Sequence, residues 1–193
     1  MKVDLLVGGL DASRARLTQP SIMTGENQFW YSPSFNHLQI HYFAHMPVEF
    51  KALCRMAKRW FQDDSGVNPK QGKSYMLELC MLKVWTDASD AEKMILRSSK
   101  SRSRFQPLFH EFLHFISNFH EARIVFEQFY QRSDVPTYLT SAFPHIISLS
   151  NPFSDTGLLW RNEDAGLQAL RSAATHEFDA SYQRVVDMVV EFD

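Results

Sequence analysis

The sequence has little net charge, few cysteines and no long apolar run, and each shortage removes a class of protein. With 20 Lys and Arg against 22 Asp and Glu, its formal charge is −2 with the histidines neutral. Such a chain is no polycation, so any nucleic-acid contact must come from a local basic patch. The only cysteines are Cys54 and Cys80. Both fall in apolar, helix-like segments, which reads as two buried free thiols in a reducing compartment and not as a disulfide framework. No charged start followed by an apolar stretch marks a signal peptide. No run of about 18 apolar residues marks a transmembrane helix. The expected address is cytoplasmic or nuclear, with no membrane role. Repeats and long low-complexity segments are also missing.

What is present suits a packed globular fold. Hydrophobic residues make up 45% and charged residues 22% of the 193 positions, and there are 16 phenylalanines. These are ordinary values for a chain that buries a core. Val3-Asp4-Leu5-Leu6-Val7 reads as a short strand closed by Gly8 and Gly9. Few later segments look like strands, so this one lacks an evident partner, and the chain reads as part of a larger module. Residues 10–30 read as a connecting loop. Ser34 is placed to cap a helix running to about His45.

Pro47 stands at the first turn of the next helix, where Phe50, Leu53, Cys54, Ala57, Trp60 and Phe61 recur at helical spacing. Arg55, Lys58, Arg59 and Gln62 share its other face, a stripe that could hold a triphosphate or simply face solvent. After a loop at 63–72, Lys73 to Trp85 is apolar nearly all round, as in a helix deep in a core, and Glu78 in its middle needs a partner. Ser74 and Tyr75 open that helix, where a helix N-terminus favours anions and an aromatic ring can stack on a base. A capping turn with a core Tyr is the plainer reading. Shorter helices are predicted at 90–97 and 162–178, and 182–190 reads as a last helix or a tail. The apolar pattern from Gln106 to Tyr130 predicts one long helix. The class is mainly α with a little β.

Inside that long segment, HEFLHFISNFH places His110, Glu111 and His114 as H-E-x-x-H. On a helix the two histidines share a face suited to Zn²⁺, with the glutamate as general base. His120 has the spacing of a third ligand, but a third ligand of that kind needs a glycine break where this chain has Ser117. On an unbroken helix His120 points away. A helix rich in His and Phe is the competing reading.

Together, FNHLQIHYFAHMPVEFKALCRMAKRWFQ, the loop after it and KSYMLELCMLKVW resemble the 2′-5′-oligoadenylate synthase family of nucleotidyltransferases. There a helix of type LIRLVKHWYQ precedes YALELLTVYAW. HIISLSNPFSDTG is similar to that family's ILDPADPTGN turn, and DAGLQALRSAA to the helix after it. The resemblance spans nearly the whole chain in order. It implies a helical C-terminal lobe over residues 35–193, with 1–34 a remnant of the catalytic lobe. It implies that Asp4 is the third catalytic carboxylate and a ligand of Mg²⁺. Arg55 and Lys58 would contact the phosphates of ATP, and Tyr75 would help hold the donor nucleotide. Ser74 stands where the family often has Gln, and Asn151 and Ser154 replace acidic or small residues of the turn.

The family makes 2′-5′-linked oligoadenylates with two metals held by three carboxylates. The first two form an Asp-x-Asp pair after a Gly-Ser turn, and no such pair stands in this sequence. One carboxylate cannot organise two metals, so the isolated chain is expected to be inactive or a fragment of an active protein. Double-stranded RNA switches that family on, and Lys100, Arg102 and Arg104, with Lys93 and Arg97, form the densest basic segment here. A different expectation is an interaction module, in which a bare apolar sheet face drives homo- or hetero-oligomerisation.

Overall fold

The structure, a computed structural model, describes residues 37–63, 65, 74–98, 102–158 and 164–190. The strand with Asp4, the 10–30 loop, the Ser34 cap, the 34/35 boundary and most of the 63–72 loop lie outside them. In chain order the helices are α1 (37–45), α2 (Val48–Asp63), α3 (Ser74–Asp87), α4 (Asp90–Ser98), α5 (Gln106–Ser117), α6 (Thr137–Thr140) and α7 (Asp164–Val190). Strands β1 (Arg123–Ile124) and β2 (His145–Ile146) pair in parallel, with Arg123 opposite His145 and Ile124 opposite Ile146. Among the described residues the chain is therefore mainly helical with one small sheet, as the sequence leads one to expect. None of the described helices is long and apolar enough to cross a membrane.

The described residues fall into two compact units. One is built from the described parts of Met1–Met46 and Arg123–Thr156, the other from those of Pro47–Ala122 and Gly157–Asp193. In the second unit α2 starts where Lys51 N–H donates to the Pro47 carbonyl, and it buries Phe50, Leu53, Cys54, Ala57, Trp60 and Phe61. That is the set its 3.6-residue spacing selects. Helix α3 buries residues on nearly every side, from Met76 to Trp85, and packs against both α2 and α5. Trp60 meets Phe112 of α5 edge-on at 6.1 Å, and Phe50 meets Trp85 edge-on at 5.8 Å, the arrangement aromatic quadrupoles favour. Ser89 and Glu92 form a reciprocal cap that starts α4, and these hydrogen bonds hold the Glu92 carboxyl below its usual range.

Two helices depart from expectation. The long helix predicted for 106–130 ends at Ser117, and a 3₁₀ turn (Phe119–Glu121) and β1 follow. The stop is chemical: the His114 carbonyl accepts from Ser117 Oγ at 2.8 Å, Asn118 Nδ2 at 3.1 Å and Asn118 N–H at 3.2 Å. Short polar side chains that bond local carbonyls compete with helix continuation. Arg171 Nε of α7 donates to the Ser117 carbonyl at 2.9 Å and satisfies the helix end. The apolar pattern runs on because Phe119, Ala122, Ile124 and Phe126 are buried without being helical. His120 is therefore not turned away by an unbroken helix: it sits in the 3₁₀ turn, 3.5 Å from Glu121. Conversely, the two C-terminal segments read separately form one helix, α7.

In the first unit, β1 and β2 are joined by Ile147 N–H to the Ile124 carbonyl at 2.9 Å. Tyr130, Val135 and Ile147 pack with Val125, Phe129 and Leu139, and the Tyr130 hydroxyl donates to the Ser148 carbonyl at 2.7 Å. Tyr42 of α1 meets Phe129 edge-on at 5.7 Å. The SNPFSDTG turn closes on itself through Phe153 N–H to Asn151 Oδ1 and Ser148 N–H to the Ser154 carbonyl. Phe112 is fully buried where α5 faces Trp60. Phe112→Ala is expected to cost about 3–5 kcal/mol in urea unfolding, whereas exposed Met94→Ala should stay within about 0.5 kcal/mol.

Candidate functional site

The residues singled out for chemistry cluster where α2 crosses α3. Glu78 is the carboxylate that interrupts the apolar sequence of α3, and Lys58 of α2 supplies its counter-charge as a direct ion pair. Both side chains are about two-thirds to three-quarters removed from solvent, with 32% and 26% left exposed. The pair is therefore less screened than a surface bridge. Arg55, one turn before Lys58, is exposed and makes no ion pair with any described residue. Arg59 points elsewhere and pairs with Asp63 along its own helix at 3.3 Å. The basic stripe thus divides into one cation tied inward, one tied along the helix and one left to solvent.

Cys54 reports the electrostatics of this cluster. Burial first, then the Glu78 carboxylate, pushes its thiol up to about 12, against the opposing pull of Lys58 and Arg55. Cys80, fully buried in α3, is also held above its ordinary range by burial. Both thiols are free, as their apolar settings imply.

On α3, Ser74 is exposed and Tyr75 half-buried, and Tyr75 lies one turn before Glu78. Phe50 faces Trp85 and Lys58 faces Glu78, so α2 and α3 run antiparallel, with Arg55 one turn to one side of the Lys58–Glu78 pair and Ser74 and Tyr75 one turn to the other. An ammonium carries three N–H donors, so a bond to Glu78 leaves donors for a phosphate, and Arg55 offers a planar fork beside it. The partner of Glu78 was the missing piece: its place in an apolar helix shows the need, but only the fold names Lys58.

The other sequence candidates are not drawn into this cluster. Asp4 and Lys100 lie outside the described residues, as does the side chain of Arg102. The Arg104 guanidinium lies over the Phe105 ring at 4.7 Å, and Lys93 over Trp85 at 5.9 Å. His110 and His114 are one turn apart on α5, but both rings face Phe178 of α7, at centroid distances of 3.9 and 5.4 Å. His114 Nε2 also accepts from Asn118 Nδ2 at 3.3 Å. Among the described residues no group of three or more His, Cys, Asp or Glu is placed to hold a metal ion. Asp4, the expected Mg²⁺ ligand, lies outside the described residues, and the sequence contains no Asp-x-Asp pair.

The family model described as 2′-5′-oligoadenylate synthetase 1, domain 2, C-terminus, matches residues 14–158, a span that holds the whole α2–α3 cluster. No curated protein matches the chain.

Two outcomes follow from the cluster. Lys58→Ala strands a half-buried carboxylate and should cost on the order of 1–3 kcal/mol, with much of it recovered in Lys58→Ala/Glu78→Gln, whereas Arg55→Ala should stay within about 0.5 kcal/mol. Urea unfolding arranged as a double-mutant cycle measures this. The raised Cys54 thiol also sets a pH dependence. The unfolded chain releases that proton near 9 and the folded chain only near 12, so the folded state holds more protons between those values. Stability is therefore expected to fall as pH rises through that window, and Cys54→Ala should flatten the fall.

Proposed function

The chain belongs to the family of the 2′-5′-oligoadenylate synthetase C-terminal domain, and from that membership we propose that its α2–α3 cluster is a binding face for the triphosphate of ATP that acts without catalysis in the isolated chain. The observation that carries the reading is the division of labour between two neighbouring cations. Lys58 is fixed by Glu78, and Arg55 stands exposed beside it with no described ion-pair partner. A phosphate chain carries several negative oxygens, and a fixed ammonium next to a free guanidinium complements it with little reorganisation. Tyr75, half-buried one turn from Glu78, is the group nearest in sequence to hold the base.

Binding and not turnover is proposed because the chemistry of this family needs three carboxylates around two metals, and this sequence contains no Asp-x-Asp pair to supply two of them. Within the same reading, the segment with Lys100, Arg102 and Arg104 is the place for a salt-sensitive contact to double-stranded RNA.

The test is a thermal-shift titration of the full chain with ATP and Mg²⁺. A ligand that binds only the folded form stabilises it by about 2.7 kcal/mol at 100 times its Kd. Arg55→Ala is the informative variant, because removing Lys58 also disturbs Glu78. The expected result is a shift that Arg55→Ala and Tyr75→Ala each weaken while their own unfolding midpoints stay near the parent's. No shift at millimolar ATP, or a shift indifferent to Arg55→Ala, would sink the proposal.

A further inference from the structure

The sequence holds a second set of histidines at helical spacing, apart from the H-E-x-x-H segment. His37, His41 and His45 stand four residues apart along α1, which places them in one row on one face of the helix. All three are exposed, whereas Leu38, Gln39, Tyr42 and Phe43 are half-buried. The edge-on contact of Tyr42 with Phe129 holds the opposite face of α1 against its own unit. The His41 and His45 rings lie 4.1 Å apart, centroid to centroid. His45 Nδ1 sits 2.7 Å from the His41 carbonyl. A carbonyl only accepts, so Nδ1 carries the proton, and in the neutral ring Nε2 keeps its lone pair. That is the arrangement in which a metal-binding histidine is usually held, with one ring nitrogen donating to backbone and the other free to coordinate.

We propose that His41 and His45 form a two-histidine chelate for a divalent transition-metal ion of the Zn²⁺ type, completed by water. Imidazole nitrogens suit such ions, while Mg²⁺ prefers oxygen ligands and near-ideal octahedra. A metal bridging successive turns also clamps α1 in its helical form and so binds the folded state preferentially. The contrast with His110 and His114 is instructive, because the spacing is the same. There both rings are spent on Phe178, and His114 Nε2 already accepts from Asn118. Along α1 the rings have solvent before them and one of them has a fixed tautomer. The site shares no residue with the α2–α3 cluster and does not depend on nucleotide binding.

Isothermal titration of Zn²⁺ into the full chain at neutral pH tests this. About one equivalent should bind; His41→Ala and His45→Ala should each weaken it by at least about tenfold, since even a lost outer-shell partner costs about 10–100-fold. His37→Ala, His110→Ala and His114→Ala should leave it unchanged, and Mg²⁺ should not compete. His41 and His45 are exposed, so their removal leaves the core intact, and an unchanged unfolding midpoint is required of each variant before its binding is read. Binding that survives in His41→Ala/His45→Ala, or that disappears in His110→Ala, overturns the proposal, as does the absence of binding by the parent chain.

Discussion

A carboxylate in the middle of a buried helix constrains much of what surrounds it. Helix α3 buries apolar side chains on nearly every face; Glu78 and Lys83 interrupt the buried run, and Lys83 is tied along the helix to Asp87. Placing the Glu78 charge near the core without compensation would cost several kcal/mol or force it to stay protonated. The fold answers by bringing Lys58 of α2 against it. The pairing then sets the crossing of α2 on α3, because the apolar face of α2 must seat Phe50, Leu53, Ala57 and Phe61 while Lys58 reaches Glu78. It also explains why Lys58 is not simply a solvent-facing cation: it is held in place, with hydrogen-bonding capacity left over, beside an Arg55 that is not. The same interaction thus serves stability and, in the function proposed above, holds one cation of the binding face in place.

Helices α2 and α3 were legible in the sequence because each obeys a single rule. The buried set of α2 follows from periodicity, and the depth of α3 from its lack of a polar face. The stop after Ser117 was not legible from periodicity, because Phe119, Ala122 and Ile124 are buried in a 3₁₀ turn and a strand as thoroughly as they would be in a helix. Apolar spacing reports burial, and helix is only one way to achieve it. The Ser117-Asn118 pair carried the better signal, since both side chains end up on the His114 carbonyl. Helix α7 shows the opposite error: nothing in residues 179–181 breaks a helix, and a split there had no chemical cause.

The small sheet was the hardest part to foresee. A parallel pair needs a long crossover, and β1 and β2 are each two residues long. What holds that region is long-range: the Tyr130 hydroxyl on the Ser148 carbonyl, and Ile146 N–H on Asp155 Oδ1 at 2.9 Å. His145, Ser148, Ser150 and Asn151 are all buried in a stretch that reads locally as an apolar run and a turn. His145 and Asn151 bond locally, to the Ala142 carbonyl and the Phe153 N–H, whereas the Ser148 carbonyl takes the Tyr130 hydroxyl from 18 residues away, a contact no local pattern contains.

The candidate site divides along the same line. Arg55, Lys58, Ser74 and Tyr75 could be named from their places on two helices, because helical spacing fixes which side chains are neighbours within one helix. Which of two neighbouring cations is held and which is free depends on the helix that packs beside them. The histidines make the point more sharply. His110 with His114 and His41 with His45 have the same spacing, and the first pair carries the more suggestive motif. Coordination, however, needs a ring nitrogen with an available lone pair and space in front of it. Phe178 and Asn118 occupy the first pair, while the backbone carbonyl of His41 fixes the proton of His45 on the nitrogen that a metal does not need. Spacing says only that two side chains can meet; what else each ring touches decides whether a third atom can join them.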